Sequence, residues 1–153
     1  MSALELKLPP LLVLVLIAAL MWLGSRAAPT LGFPTPTPRT LAASVAAAGA
    51  VIMVAGVVSF RRARTTVNPL KPESASALVT SGIYRLTRNP MYLGALGLLI
   101  GWAFFLSNLA AFILTPTFVF YLNRFQIVPE ERALAARFGA EFAAYRTKVR
   151  RWL

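Results

Sequence analysis

The chain has 153 residues, 58% of them hydrophobic, yet sixteen Lys and Arg face only five Asp and Glu, giving a net charge of +11. Cysteine and histidine are both absent, which excludes disulfides, thiolate nucleophiles, the usual zinc sites and imidazole acid–base chemistry. Uncharged runs at Leu8–Leu23, Leu41–Phe60 and Asn89–Asn123 mark spanning segments, and the basic residues stand in blocks beside them, where they hold loops in the cytoplasm and meet anionic lipid rather than nucleic acid.

The first run, Leu8 to Leu23, carries two prolines that fit a first helical turn, where a missing N–H does no harm. Ser25-Arg26-Ala27 is a passable cleavage site for a signal peptide, whereas Glu5 and the paired prolines make a poor start to one, which favours a retained helix. Arg26–Arg39 holds four prolines and reads as an extended connector. In the second span, Leu41–Phe60, Gly49, Met53 and Gly56 share one helical face, so a neighbouring helix can approach closely there.

Residues 61–88 hold five arginines and one lysine against the single acid Glu73, which places them on the cytoplasmic side. The 35 uncharged residues from Asn89 to Asn123 would reach about 52 Å as one helix, more than a bilayer core needs. The run must therefore turn back, and Ser107-Asn108 is its most polar point. This predicts two short arms, Pro90–Leu106 and Leu109–Leu122, the second kinked or interrupted at Pro116. Gly94, Gly97 and Gly101 share one face and suit helix packing.

After Arg124 the pattern changes. Leu134, Phe138, Phe142, Tyr145, Val149 and Trp152 recur every three or four residues while charges occupy other faces, the signature of an amphipathic helix or helix pair lying at the interface. Pro129, Glu130 and Glu131 suit a first helical turn on dipole grounds alone. The expected architecture is all-α and integral to the membrane: about four transmembrane helices, the last two a short hairpin, followed by C-terminal amphipathic helices. Residues 1–153 form a single membrane domain, with two N-terminal spans in 1–60 and a functional half in 61–153.

Two polar clusters together, "TSGIYRLTRNPMYLG" and, after about 35 apolar residues, "EERALAARFGAEFAAYRTKVRRW", resemble the isoprenylcysteine carboxyl methyltransferase family and its phospholipid methyltransferase relatives. The resemblance begins at Leu78 and covers about half the chain. It implies an integral membrane enzyme that binds S-adenosylmethionine at the cytoplasmic face and methylates a lipophilic substrate entering from the bilayer; the expected location is a bacterial-type inner membrane. Position by position, it assigns Ser76, Ala77, Leu78 and Val79 to a cofactor-contacting stretch. Tyr84, Asn89, Pro90, Met91 and Tyr92 fall in the cofactor pocket, and Glu130 matches an acidic cofactor ligand. Arg88 stands where the family has the arginine of an Arg-His-Pro pattern, with Asn89 in the histidine's place. Asn can donate and accept a hydrogen bond but carries no proton at neutral pH. An arginine that serves a carboxylate substrate would fall near Gln126, with Arg124 the nearest guanidinium. Arg124, Asn89 and Arg88 are thus the expected catalytic residues, and no metal is expected.

Methyl transfer from a sulfonium mainly requires alignment and exclusion of water. A carboxylate acceptor needs an arginine to hold it, whereas an amine needs a carboxylate or Tyr to keep it neutral. Two other readings remain: an NADPH-dependent membrane reductase of sterol-reductase type, and a non-catalytic lipid-binding membrane protein.

Overall fold

The computed structural model describes residues 5–33, 36–64 and 76–153. Their elements, in chain order, are α1 (Pro10–Ala27), α2 (Arg39–Arg62), α3 (Pro90–Leu106), α4 (Leu109–Leu122), a π turn (Asn123–Ile127) and α5 (Val128–Lys148), with short 3₁₀ turns at Pro29–Leu31 and Gly82–Arg85. The architecture is all-helical, as the composition predicts. Among the described residues the only strand-like pairing is an isolated bridge between Gly32 and Asn108. Helices α1 and α2 are long and apolar enough to cross a membrane, as is the rod that begins at Leu109, whereas α3 is shorter.

Both N-terminal helices start on proline chemistry. Pro10 occupies the first turn of α1, and Pro38 precedes α2, positions where a missing N–H costs nothing. Helix α1 packs chiefly along α4, and α2 chiefly along α3. Small residues set the second contact. A Cβ on Gly94 would stand 2.5 Å from Gly49 O and 2.6 Å from Met53 N, and one on Gly101 would stand 2.8 Å from Ala46. The two backbones therefore touch where side chains would hold them apart, the close approach expected from the glycine faces.

The turn between α3 and α4 falls at Ser107-Asn108, as expected. Ser107 takes a left-handed conformation (φ 48°) that ends α3, and Asn108 Oδ1 caps α4 by accepting from Ala110 N at 2.9 Å. The Asn108 amide donates to Ala28 O, and the Phe33 and Thr37 amides donate to Ser107. The connector is thereby laced to the hairpin tip; it is not extended throughout as expected, because α1 runs on to Ala27, Pro29–Leu31 forms a 3₁₀ turn and α2 begins at Arg39. Val13, Met21, Leu99, Ala103, Phe118, Leu122 and Ile127 form the core beneath.

Of the two alternatives for the second arm, interruption at Pro116 is corrected: α4 runs through it. Beyond Leu122 the chain continues helically through the π turn into α5, as far as the kink at Gly139. The π turn absorbs one extra residue, so the helix continues with its side chains rotated. Such turns gather at functional sites. The tail is a helix pair in effect, because Gly139 breaks α5 with φ 48° and ψ −118°, a conformation natural to glycine.

Candidate functional site

Polar side chains converge where the start of α3, the π turn and the start of α5 meet. Tyr92, on the second residue pair of α3, donates from its hydroxyl to Glu130 Oε1 at 2.6 Å. Gln126, in the π turn and 1% exposed, donates from Nε2 to the same oxygen at 2.7 Å. Residues 126 and 130 are four apart along the rod, so their side chains meet. Oε1 thus accepts twice, while the other carboxylate oxygen, Oε2, accepts no hydrogen bond among the described residues. Enclosure by neighbouring atoms strips water from the Glu130 carboxyl and pushes it up to about 7, against the lowering effect of its Tyr92 and Gln126 donors.

A second layer is aromatic. Tyr84, buried in the 3₁₀ turn, meets Phe60 of α2 edge-on at 5.3 Å. Tyr145 of α5 donates from its hydroxyl to Tyr84 O at 2.6 Å. Burial pushes the Tyr84 phenol well above its usual range, with Tyr145 and Glu130 adding to the rise, and burial lifts Tyr145 to about 12. Both are neutral donors at physiological pH. Leu78 packs against Phe142, Tyr145 and Val149, which brings the 76–79 stretch to the same side. Val79 is buried, whereas Ser76 is exposed and donates to Arg64 O.

Glu131 faces a different task from its neighbour. Its carboxylate pairs with Arg88 at 2.7 Å and Arg151 at 2.6 Å. Burial raises this carboxyl, but the Arg151 hydrogen bond and the charges of Arg151 and Arg88 outweigh that and hold it below its usual range. The segment 149–152 is stitched to residues 87–89: Thr87 Oγ1 and Asn89 Nδ2 both donate to Arg151 O, Arg88 N donates to Arg150 O, and Arg88 Nη1 donates to Val149 O. Trp152 Nε1 donates to Asn123 Oδ1. The Arg88 Nε–H is buried and has no hydrogen-bond partner among the described residues, the kind of orphaned donor that native structures retain for a reason.

Of the residues singled out from sequence, the structure brings Tyr84, Tyr92 and Glu130 together. Arg88 and Asn89 adjoin them but spend most of their donors on the C-terminal segment. Pro90 and Met91 lean on α2 at Gly56, where a Cβ would stand 2.7 Å from Met91 Cγ. Arg124 is 57% exposed and bonds Glu5 at 2.9 Å, and Arg132 bonds the same carboxylate at 2.7 Å. Glu5 itself is 3% exposed, and Leu6 N donates to Phe125 O, which ties the N-terminal segment to the π turn.

Sequence reasoning missed three participants. Gln126 entered only as a missing arginine, although its spacing to Glu130 was a readable signal. Glu131 entered only as a helix-start residue, although it anchors two arginines. The pairing of Glu5 with Arg124 spans 119 residues and carries no local signal.

A family model described as phospholipid methyltransferase matches residues 38–141. An uncharacterized protein of Haemophilus influenzae is 43% identical over 63 residues, 41% of this chain and 100% of that one. The protein-S-isoprenylcysteine O-methyltransferase of Saccharomyces cerevisiae is 37% identical over 82 residues, 52% of this chain and 33% of the yeast protein. A probable protein-S-isoprenylcysteine O-methyltransferase of Oryza sativa subsp. japonica is 36% identical over 104 residues, 66% of this chain and 53% of the rice protein. The matched regions thus span a third to about half the length of those two named relatives.

Proposed function

The chain belongs to the phospholipid methyltransferase family, and from that premise we propose that it is a membrane methyltransferase that uses S-adenosylmethionine to methylate a lipophilic substrate at the cytoplasmic face. The observation that carries this reading is the Glu130 carboxyl, fixed through Oε1 by Tyr92 and Gln126 while Oε2 accepts no hydrogen bond among the described residues. A carboxylate oxygen with no hydrogen bond among the described residues is the kind of acceptor that the amino end of that cofactor requires, so this group fits it. Tyr84, Tyr92 and Tyr145 supply neutral aromatic surface suited to a cationic sulfonium. Val79 and Leu78 would close the apolar side.

When bound, the cofactor supplies a methyl group on a positively charged sulfur. The work left to the protein is to hold donor and acceptor in line and to keep water out. Glu131, through Arg88 and Arg151, holds the C-terminal segment over residues 87–89, and Asn89 reinforces it through Arg151 O. Asn89 and Arg88 therefore act by positioning. Arg124 is the guanidinium assigned to an ionised, prenylcysteine-like acceptor. A lipid amine is the second reading, favoured by one observation: Arg124 and Arg132 already share Glu5, and Arg88 and Arg151 already share Glu131. The cytoplasmic assignment rests on the basic residues at 61–64, 85–88 and 124–151.

Binding of labelled S-adenosylmethionine and of NADPH to the purified chain in lipid tests the reading. S-adenosylmethionine should bind and NADPH should not; the reverse would favour the reductase, and retention of lipid with neither ligand would favour a non-catalytic lipid-binding protein. A screen of prenylcysteine, ethanolamine-lipid and small lipophilic acceptors then separates a carboxylate from an amine.

A further inference from the structure

At the end of the α2–α3 pair remote from Glu130 lies an open groove of about 360 Å³, lined by Arg39, Ala42, Ala43, Ala46, Trp102 and Phe105, among others. It exists because α2 presents Ala42, Ala43 and Ala46 on this side. Small side chains face Gly101 across the contact and leave a furrow that nothing on either helix fills. Its far wall is flat: the Trp102 and Phe105 rings stack at 5.3 Å with 12° between their planes. Trp102 is fixed in place by an Nε1–H bond to Ala18 O at 3.1 Å.

Arg39 stands exposed at one end of this furrow. The sequence holds no acidic residue between Glu5 and Glu73, and Glu5 is engaged by Arg124 and Arg132 at the Glu130 end of the fold. The other cation at the connector end, Arg26, lies over the Trp22 ring at 5.6 Å. Arg39 forms no ion pair among the described residues. A guanidinium beside apolar spanning helices attracts the phosphate of an anionic lipid, and a furrow of methyl groups and ring faces accepts an acyl chain.

We propose that this groove is a binding site for one anionic phospholipid, with the phosphate on Arg39 and an acyl chain lying along Ala43, Trp102 and Phe105. The site lies at the end of the helix pair remote from the Glu130 cluster, so it does not depend on the methyltransferase reading.

Trp102 reports on the furrow directly. The full chain, with Trp22→Phe and Trp152→Phe leaving Trp102 as its single tryptophan, is placed in vesicles containing phosphatidylglycerol or phosphatidylcholine brominated on the acyl chain. Half-maximal quenching should need roughly fivefold less phosphatidylglycerol than phosphatidylcholine, the difference expected from one surface cation. Arg39→Gln should bring the two lipids together, Arg39→Lys should keep most of the preference, and Ala43→Leu, on an exposed position, should reduce quenching by both. Equal quenching by the two lipids before any change at Arg39 would overturn the proposal. A preference that survives Arg39→Gln would overturn it too, as would quenching indifferent to Ala43→Leu.

Discussion

Replacing Glu130 by Gln isolates the group on which the proposed cofactor site depends. The side-chain oxygen of Gln can still accept from Tyr92 and Gln126, which now bond Oε1 at 2.6 and 2.7 Å, so the local frame should survive. What changes is the second position, where an amide donor replaces an open carboxylate acceptor. A charge-assisted hydrogen bond contributes about 1.5–3 kcal/mol, so S-adenosylmethionine should bind roughly ten- to 150-fold more weakly. Titration calorimetry or equilibrium dialysis in lipid reads this directly.

The pH dependence sharpens the same test. Because enclosure lifts the Glu130 carboxyl to about 7, the ligand-free chain gains the negative charge that a cofactor amine needs only as pH rises through that value. Affinity should climb between about pH 6 and 8 and then level off, and Glu130→Gln should lack the climb. Stability runs the other way. A carboxyl held above its unfolded value contributes stability below the ordinary carboxylate range, and that contribution is lost as pH rises through about 7. Wild-type affinity and pH profile in Glu130→Gln would refute the assignment.

Glu131→Gln should leave cofactor affinity within a few-fold but lower the melting temperature, because Arg88 and Arg151 lose their shared carboxylate; the cost is about 1–3 kcal/mol, since Arg151 is partly exposed. As Glu131 sits below its usual range, its stabilisation is present above the ordinary carboxylate range and lost as pH falls through its folded value, so acid unfolding should be shallower in the variant. Gly94→Val would push Cβ against Gly49 O and Met53 N at 2.5 and 2.6 Å, forcing α2 and α3 apart at a cost of about 1–3 kcal/mol or more, visible as reduced thermal stability in detergent. Arg124→Ala should lower turnover of a carboxylate acceptor while S-adenosylmethionine affinity holds; loss of cofactor binding instead would place Arg124 on the cofactor side and favour an amine acceptor.

Much of the fold was legible because membrane helices are written in local sequence. Run length, prolines and the polar Ser107-Asn108 pair located the hairpin arms to the residue and α1 and α2 to within two to four residues at each end, since a lipid-facing backbone must satisfy its own hydrogen bonds within the helix. The small faces around Gly49 and Gly94 were readable for the same reason: their spacing places them on one side of a regular helix. The rod from α4 into α5 was not legible, because Arg124 and Pro129 look like a helix end and a helix start. The π turn joins them, and its Phe125 O and Asn123 Oδ1 accept from Leu6 N and Trp152 Nε1, groups far away in sequence.

At the candidate site the division is similar. Sequence pointed to Tyr84, Tyr92 and Glu130 through their resemblance to a family, but it could not distinguish Glu130 from Glu131 on physical grounds, as both suit a first helical turn. Tertiary structure assigns their partners. A helix turns about 100° per residue, so one carboxylate meets Tyr92 and Gln126 while the next meets Arg88 and Arg151. Glu5 meets Arg124 only after the first helix has folded along the fourth. Local periodicity determines which residues share a face of one helix; which groups then meet across helices depends on how the faces pack, and no local pattern records that.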